Sequence, residues 1–414
     1  MLEKTDKKLV YLDNSATTRQ YDAVTETMLQ AMRENYGNPS SLHALGLAAE
    51  KEVRAARKTI AAAIGAKEEA LYFTACGTES DNTVLFGAAQ AKKRSGKKII
   101  VSAAEHPAIL EPARKLESLG YEVVRIGVDR LCHPDMKQLE AELTEDTILI
   151  SIMGVNNETG TIMPIPEIAK IKADYNKAHG TDIWLHSDCV QAFGKIPLDL
   201  AANYRGVELL SLSAHKIHGP KGMGALYCRK GVWPQNLIDG GSQEARHRAG
   251  TENVAGIAAM GKALEIATAH LDERMAHESE LRDYVIDRVL KNIPEARLNG
   301  GRSPRLPNNV NISFPGLEGE TILLDLDMHG ICASTGSACN SDSLDPSHVL
   351  LSIGVPEEIG HGSMRFTFGP QNTMEEAKYL CDVLEEVIPR RRAMSCMWLQ
   401  GQNTARHFSL KGEQ

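Results

Sequence analysis

The sequence contains no long hydrophobic run, no closely spaced cysteine pair and no excess of positive charge. No stretch reaches the roughly 18–20 apolar residues that a membrane-spanning helix needs. Charged residues occupy Met1–Val10, where a secretory signal would have an apolar core. The formal net charge of −8 disfavours nucleic-acid binding. We therefore expect a cytoplasmic protein with no membrane partner and no direct nucleic-acid partner.

The eight cysteines are scattered and form no Cys-x-x-Cys pair, so neither a zinc site nor a dense disulfide framework is expected. Most should be reduced thiols, several of them packed as small apolar side chains. Cys339 differs, because Gly, Ser and Asn surround it in the polar loop 334–348. An exposed thiol of this kind is either a nucleophile or a bystander, and its surroundings alone leave both interpretations open.

Internal repeats and low-complexity segments are also absent from the 414 residues, which are long enough for two domains. Between residues 15 and 260, short apolar strands alternate with helical segments. This pattern predicts an α/β fold, with a large domain built on a mainly parallel sheet between helices. A long helical stretch is predicted over 254–293. The arrangement of short strands and helices in 261–389 then predicts a smaller α+β domain. Residues 1–14 are expected to join this domain, and the domain carries the cysteine loop.

Polar side chains follow several predicted strands, where open parallel sheets place their ligand contacts. Lys216 follows the apolar run 209–212 and precedes a turn rich in Gly and Pro. A lysine there either forms a Schiff base with a carbonyl cofactor or is simply solvated. Asp188 ends another strand, and it either pairs with a cationic group or caps the following segment. His106 either contacts a ligand or is a structural loop residue.

The turn at Gly77 has the features of an anion site. A strand runs through Phe73 into this glycine, and Thr78 is predicted to begin a helix with Asp81 at capping-box spacing. Backbone N–H groups at such a helix start suit a phosphate. The basic loop 239–253 either approaches the same phosphate or is a solvated surface loop.

Taken together, these residues resemble the cysteine desulfurases of the NifS/IscS type. This group is a branch of the class V aminotransferases, which share the fold of fold-type I pyridoxal phosphate (PLP) enzymes. The similarity runs from Tyr11 to about Gly369, and the shape of the cysteine loop resembles the NifS/IscS group rather than the SufS group. The motifs in chain order are Tyr11-Leu-Asp-Asn-Ser-Ala-Thr-Thr18, Gly37-Asn-Pro-Ser-Ser41, Thr78-Glu-Ser-Asp-Asn82, Glu105-His106, Val155-Asn-Asn-Glu158, Asp188 with Gln191, Ser213-Ala-His-Lys216, Arg248-Ala-Gly-Thr251, Gly336-Ser-Ala-Cys339 and Arg365.

The resemblance implies a role for each site residue. Lys216 would bind PLP covalently and later move protons. Asp188 would pair with the ring nitrogen, His106 would stack on the ring, and Gln191 would contact the ring hydroxyl. The phosphate ligands would be Gly77, Thr78, Ser213, His215 and, from the second subunit of a homodimer, Thr251. The substrate would be bound by Asn38, Asn157 and Arg365, although Asn38 is equally well explained as a turn residue beside Pro39.

The implied reaction converts L-cysteine to L-alanine and transfers the sulfur to Cys339 as a persulfide. An acceptor protein, such as an iron–sulfur scaffold or an enzyme of tRNA or cofactor thiolation, would then receive it. An aminotransferase would have no use for Cys339, and a non-enzymatic scaffold need not retain Lys216, Asp188, His106 and Arg365. Selenocysteine as a side substrate stays open. No metal site is implied.

Four features depart from the family pattern, one of them being Arg19, which replaces a common proline. Cys76 and Cys189 stand where the family usually has other small residues, and Cys76 is expected to perturb cofactor affinity slightly. The tail 390–414 resembles no part of the pattern, and we hypothesise that it modulates the docking of acceptor proteins. Its basic run Arg390-Arg-Arg392 is predicted to be the solvated end of a helix.

Overall fold

The computed structural model describes residues 9–335 and 346–403. Within them, no helix combines the length and the apolar character needed to cross a membrane. The strands are β1 (Val10–Tyr11), β2 (Leu71–Thr74), β3 (Lys98–Ser102), β4 (Glu122–Ile126), β5 (Thr147–Ser151), β6 (Trp184–Asp188), β7 (Leu209–Ser213), β8 (Gly224–Cys228), β9 (Arg297–Leu298), β10 (Asn309–Ser313), β11 (Ile331–Cys332), β12 (Ser334–Thr335) and β13 (Ser363–Thr367). The α-helices are α1 (Asp22–Glu34), α2 (Ala44–Ala63), α3 (Gly77–Ala91), α4 (Pro107–Ser118), α5 (Met136–Glu142), α6 (Ile165–His179), α7 (Val254–Ala269), α8 (Leu271–Asn292), α9 (Gly319–Met328), α10 (His348–Ser352), α11 (Glu357–Gly360), α12 (Met374–Met394) and α13 (Cys396–Asn403). Short 3₁₀ turns cover Glu68–Ala70, Ala214–Lys216 and Glu244–Arg246.

The largest sheet has seven strands in the order β2-β8-β7-β6-β5-β3-β4. Strands β7, β6, β5, β3 and β4 pair in parallel, whereas β8 runs antiparallel to both of its neighbours. Every residue of β5, β6 and β7 is buried. Such burial is expected when helices cover both faces of a parallel sheet. The prediction of a mainly parallel sheet between helices is confirmed.

Two hydrophobic clusters cover the two faces of this sheet. Successive residues of a strand point to opposite faces, and β3 shows the consequence. Ile100 belongs to the cluster that includes residues of α2, α6 and α7, while Ile99 and Val101 belong to the cluster with α3 and α4. The sheet is thus held from both sides, and the carboxyl ends of its parallel strands open at one edge.

The second region contains a four-stranded antiparallel sheet in the order β12-β13-β10-β9 and the parallel pair β1-β11. Its own hydrophobic cluster joins Val10 and Leu12 to residues of α8, α9 and α12, with Phe314 and Phe366 fully buried. The predicted smaller α+β unit is therefore present. The exact domain boundaries stay a prediction, and the proposed limit between residues 260 and 261 falls inside α7.

The long helical stretch predicted over 254–293 is present, but it is divided into two helices. Helix α7 ends at Ala269, and α8 begins at Leu271 after His270, whose backbone is non-helical (φ −132°, ψ 42°). The apolar residues of α7 pack on the seven-stranded sheet side, whereas those of α8 from Leu281 onward pack in the second region. The break at His270 thus lets consecutive helices serve different cores.

The prediction that Arg390-Arg-Arg392 is the solvated end of a helix holds for Arg390, which is exposed near the end of α12, but it is wrong for Arg392, which is only 4% exposed. Its Nε donates to the carbonyl of Pro315 at 3.2 Å, and its guanidinium lies 4.0 Å from the centre of the Trp398 ring. Carbonyl acceptors and a cation–π contact compensate the guanidinium for the water it loses. The first part of the tail is therefore attached to the second region.

Candidate active site

A cavity of about 350 Å³ lies at the carboxyl-terminal edge of the seven-stranded sheet. Segments that follow β2, β3, β5, β6 and β7 converge on it, together with β13 of the second region. The structure brings together in its wall the predicted site residues Gly77, Thr78, His106, Asn157, Asp188, Gln191, Ser213, His215, Lys216 and Arg365.

Lys216 ends the 3₁₀ turn that follows β7. Its Nζ donates to the backbone carbonyls of Ser15 at 2.6 Å and Ala16 at 2.7 Å. These two residues also line the cavity and follow the N-terminal strand β1. The lysine nitrogen is thus held in the cavity wall, where it can reach the carbonyl carbon of a bound ligand.

Asp188 is the last residue of β6, and its side chain is buried. One carboxylate oxygen, Oδ1, accepts the backbone N–H of Val190 at 2.9 Å, so the capping interpretation holds for that oxygen. Burial raises the pKa of Asp188 to about 6, while the Val190 N–H and the charge of Lys216 oppose this rise. A carboxylate in this position favours a cationic or protonated ligand group.

The predicted capping box with Asp81 is wrong, because α3 begins at Gly77 and Glu79 therefore takes the third helical position. Glu79 Oε2 accepts the backbone N–H of Ala75 at 2.9 Å. Asp81 is instead buried, with Oδ1 at 3.7 Å from Nε2 of His186. Burial raises the pKa of Asp81 well above its ordinary value, and nearby acidic charges add to the rise. Asp81 is an acid of the cavity floor rather than a helix cap.

His106 performs both of the roles that the sequence left open. It precedes α4, where its Nδ1 accepts the backbone N–H of Ala108 at 3.1 Å, and its ring also lines the cavity. Burial lowers the pKa of His106 to about 4, with a further contribution from the charge of Lys216. The ring is therefore neutral near pH 7, and because Nδ1 accepts, its proton lies on Nε2.

An anion cradle lies between the start of α3 and the end of β7. The first turn of a helix leaves backbone N–H groups without intrahelical partners, and α3 directs Gly77 and Thr78 to the cavity. Ser213 Oγ is buried and has no hydrogen-bond partner in the described part of the chain. A Cβ on Gly77 would lie 2.6 Å from Cγ2 of Val190, so only glycine permits this close approach. A phosphate group fits this set of donors.

The second region contributes Arg365 from the middle of β13, and this side chain is only 3% exposed. Its Nη1 donates to the carbonyl of Asn157 at 3.0 Å, and its Nη2 lies 3.2 Å from Oδ1 of Asp13. Arg365 Nε has no hydrogen-bond partner among the described residues. A buried guanidinium with donor capacity to spare suits a carboxylate ligand.

Two predicted residues do not line the cavity within this chain. Asn38 is exposed, and its Oδ1 accepts the N–H of Ser40 at 2.9 Å, as expected of a turn residue. Thr251 is exposed and lies in a separate cleft with Glu244 and Arg248. Its role in a second subunit stays a prediction. Cys339 lies outside the described residues.

Sequence reasoning missed the carbonyls of Ser15 and Ala16, which hold Lys216. The only local signal is the run of small residues after the first strand, since small side chains allow the backbone to approach a site closely. The contact spans about two hundred residues, so its pairing could not be inferred from spacing. In the described ranges, no cluster of three His, Cys, Asp or Glu side chains is arranged to hold a metal ion.

Comparison with known proteins extends over nearly the whole chain. The family described as aminotransferase class-V matches residues 10–380. "Cysteine desulfurase IscS" from Dictyoglomus turgidum is 51% identical over 389 residues, which cover 94% of this chain and 97% of that protein. This chain belongs to the class V aminotransferase family, among its cysteine desulfurases. The resemblance proposed from the motifs is confirmed.

Two solved structures extend this finding to the fold of the cysteine desulfurase family. A "NifS-like protein" superimposes with a TM-score of 0.86 at 37% identity, covering 92% of this chain and all of that one. The structure titled "SspA in complex with cysteine" superimposes with a TM-score of 0.77 at 30% identity, covering 88% of this chain and all of that one. Both confirm the fold-type prediction.

Proposed function

We propose that this family member is a PLP-dependent cysteine desulfurase. It converts L-cysteine to L-alanine and passes the sulfur to Cys339 as a persulfide. The observation that carries the proposal is the placement of Lys216 and buried Asp188 in one cavity, beside the anion cradle at Gly77. A reactive lysine, a carboxylate for a protonated ring nitrogen and a phosphate cradle are the protein groups that PLP chemistry requires.

The residues present fit PLP as a cofactor. Ser213 Oγ, with no partner among the described residues, and the first turn of α3 would hold the phosphate, and Asp188 would face the ring nitrogen. Lys216 would hold the cofactor covalently. When bound, PLP supplies an electron sink that stabilises negative charge developing on the substrate.

The chain's own residues would orient the amino acid and move protons. Arg365, whose Nε is unpaired among the described residues, and Asn157 would bind the substrate carboxylate. The planar fork of arginine fixes the carboxylate in one orientation. Lys216 Nζ would then remove the proton from the substrate Cα. His106, neutral because burial lowers its pKa, would keep the Nε2 proton available as a donor.

The Cys339 thiolate attacks the substrate sulfur, so an S–S bond forms while the Cβ–S bond breaks. The carbon side keeps the electron pair of the broken bond and gains a proton, which yields L-alanine, and Cys339 becomes a persulfide. The chain that follows residue 345 is anchored next to the cavity residues Asn157 and His106: Ser347 Oγ donates to the buried Glu158, and His348 Nε2 lies 2.9 Å from the Glu105 carbonyl.

We also propose a cellular location, an oligomeric state and a sulfur acceptor for this enzyme. The enzyme would be a cytoplasmic homodimer in which Thr251 reaches the phosphate of the partner subunit. The exposure of Thr251, outside the cavity of its own chain, supports this arrangement. A protein acceptor, such as an iron–sulfur scaffold or a thiolation enzyme, would take the sulfur from Cys339. The name of the relative from Dictyoglomus turgidum supports the iron–sulfur route.

The test compares the wild type with Lys216→Ala and, as a matched control, Lys221→Ala, which removes an exposed lysine of the same loop. With PLP, L-cysteine and a reductant, the wild type should show an absorbance band at about 420 nm and release L-alanine and sulfide in equal amounts. Lys216→Ala should lose the band and about 10³-fold or more in turnover, because the covalent nucleophile is removed. Amino-group transfer to a keto acid without sulfide release would instead support an aminotransferase.

A further inference from the structure

Gln191 and Lys195 form a buried pair behind the cavity wall. Gln191 lines the cavity, and its Oε1 accepts a hydrogen bond from Lys195 Nζ at 2.6 Å. Its Nε2 donates to the backbone carbonyl of Ser15 at 3.0 Å. The same carbonyl accepts from Lys216 Nζ at 2.6 Å. A continuous hydrogen-bonded chain therefore joins Lys195 to the reactive lysine.

These two partners permit only one orientation of the Gln191 amide. A lysine nitrogen bonded in this way donates, so the amide oxygen must face Lys195. A backbone carbonyl only accepts, so the amide nitrogen must face Ser15. With the amide reversed, its NH₂ group would face the Lys195 nitrogen, also a donor, and its oxygen would face the Ser15 carbonyl, also an acceptor. Gln191 therefore has one amide hydrogen left to offer, and it can act toward the cavity as a donor.

Lys195 is an unusual buried lysine. It is 6% exposed, and among the described residues it has no carboxylate within ion-pair distance and no hydrogen bond other than that to Gln191. Lys172, by contrast, is buried against Glu208, with Nζ 2.6 Å from its carboxylate. Burying a lysine without a carboxylate partner costs free energy of folding. A functional role for Lys195 would explain why this cost is tolerated.

The charges around Lys195 come from three elements. Burial lowers the pKa of Lys195 to about 7, and positive neighbours add to this while Glu278 opposes it. The groups that act on it or feel its charge are Arg274 and Glu278 on α8, His215, Lys216 and His218 after β7, and Arg365 on β13. Protonated or neutral, the lysine nitrogen can donate to Gln191, so the orientation of the amide does not depend on this titration.

We propose that Lys195 is a positioning residue that sets Gln191 as a hydrogen-bond donor toward the ring oxygen of the bound cofactor. This inference rests on the proposed function, because it concerns an oxygen of PLP. A donor at that oxygen, with a positive charge behind it, favours the deprotonated oxygen. Lys195 thereby tunes the proton affinity of the bound chromophore without touching substrate or cofactor.

The experiment measures the absorbance of the full-length, PLP-loaded protein as a function of pH. Lys195→Met keeps the volume of the side chain but removes both donor and charge, so the midpoint of the absorbance transition should rise by about one pH unit. Lys195→Arg, which retains a donor and a charge, should return the midpoint toward the wild-type value. Lys172→Met removes a buried lysine that bonds Glu208 rather than Gln191, and it should leave the midpoint unchanged.

A double variant tests whether Lys195 affects the absorbance midpoint through Gln191. The midpoint of the double variant Lys195→Met/Gln191→Leu should equal that of Gln191→Leu alone. A wild-type band with an unchanged midpoint in Lys195→Met would overturn this inference alone, whereas a wild type that forms no band with PLP would overturn the proposed function as well. If Lys195→Met does not fold, Lys195→Gln removes the charge more mildly. Its midpoint should shift in the same direction, and an unchanged midpoint would again overturn the inference.

Discussion

The seven-stranded sheet and the smaller region build opposite walls of the cavity in different ways. The sheet supplies Asp188, Ser213 and Lys216 from strand ends that lie side by side in one buried layer. The smaller region supplies Arg365, whose partners Asp13 and Asn157 come from distant parts of the chain. The residues proposed to hold the cofactor therefore come from adjacent strands of one sheet, whereas those proposed to hold the substrate come from both regions.

Charges are also handled differently in the two regions. Near the sheet, burial dominates: it raises the pKa of Glu105 to about 8 and lowers the pKa of His215 to about 4, so neutral forms are favoured. At Asp325 in the smaller region, an ion pair dominates instead: hydrogen bonds from Arg391 lower the pKa of Asp325, so its charged form is favoured. A change of pH should therefore act first on the sheet side of the cavity.

The largest effect expected on the sheet side is that of Asp188→Asn. This variant keeps the volume of the side chain but removes the charge that would stabilise a protonated ring nitrogen, so turnover should fall about 10²–10³-fold. Steady-state release of L-alanine measures it. Asp182→Asn, which changes an exposed carboxylate just before the same strand, is the matched control and should stay near the wild type. An Asp188→Asn variant with wild-type turnover would remove Asp188 from the account.

On the opposite wall, Arg365→Lys should have a smaller effect. The positive charge is kept but the two-pronged contact with a carboxylate is lost, so kcat/KM for L-cysteine should fall about 10–100-fold, mainly through KM. Arg282→Lys, a change in a guanidinium that bonds Leu306 O and Asp283, is the control. A fall in kcat with an unchanged KM would contradict the carboxylate-binding role.

Glu105→Gln tests the burial of charge beside the sheet. Glu105 is fully buried, with Oε1 accepting from Ser102 Oγ at 3.0 Å and from the Met153 N–H at 2.9 Å. Because its folded pKa is raised, its contribution to stability is present below its ordinary pKa and is lost as pH rises toward about 8. Relative to the wild type, Glu105→Gln should gain about 3–4 kcal/mol in unfolding free energy between about pH 5 and about pH 8. Urea titrations measure this difference, and a difference that is flat with pH would contradict it.

The smallest effect is expected at the end of the second region. Removing 404–414 should leave L-alanine release within about twofold of the wild type, because α12 and the contacts of Arg392 are kept. If the tail modulates docking, transfer of sulfur to an acceptor protein should still fall. Unchanged transfer to every acceptor tested would exclude residues 404–414 from that role and confine the hypothesis to residues 390–403. Removing 390–414 is a poorer test, since it also deletes buried Arg392.

The comparison of the two regions also explains what the sequence could predict. Lys216, Asp188 and Gly77 each follow a short apolar strand, and parallel strands bring their carboxyl ends to one edge, so local patterns were sufficient. The capping box at Asp81 failed because a two-residue shift in the helix cap, from Thr78 to Cys76, changes which acid caps the helix. Helix boundaries are the least certain part of such a prediction.

Long-range contacts account for the other misses. Arg392 looked solvated because a basic run carries no sign of the carbonyls, far away in sequence, that receive it. Lys195 was not singled out, because no sequence pattern identifies a buried lysine whose partner is a glutamine four residues earlier in the chain. The break at His270 lets α7 and α8 pack in different hydrophobic cores. Which core each helix joins depends on tertiary contacts, and the local sequence does not show these.

The measurement that tests the central claim most directly is the release of L-alanine and sulfide from L-cysteine by the wild type and by Cys339→Ser, with a reductant present. Cys396→Ser, which alters an exposed cysteine elsewhere, is the matched control. The account predicts that turnover collapses by about 10²-fold or more in Cys339→Ser alone, while the absorbance of bound PLP stays. Equal turnover in all three proteins would show that another thiol or direct elimination releases the sulfur, and would contradict the account.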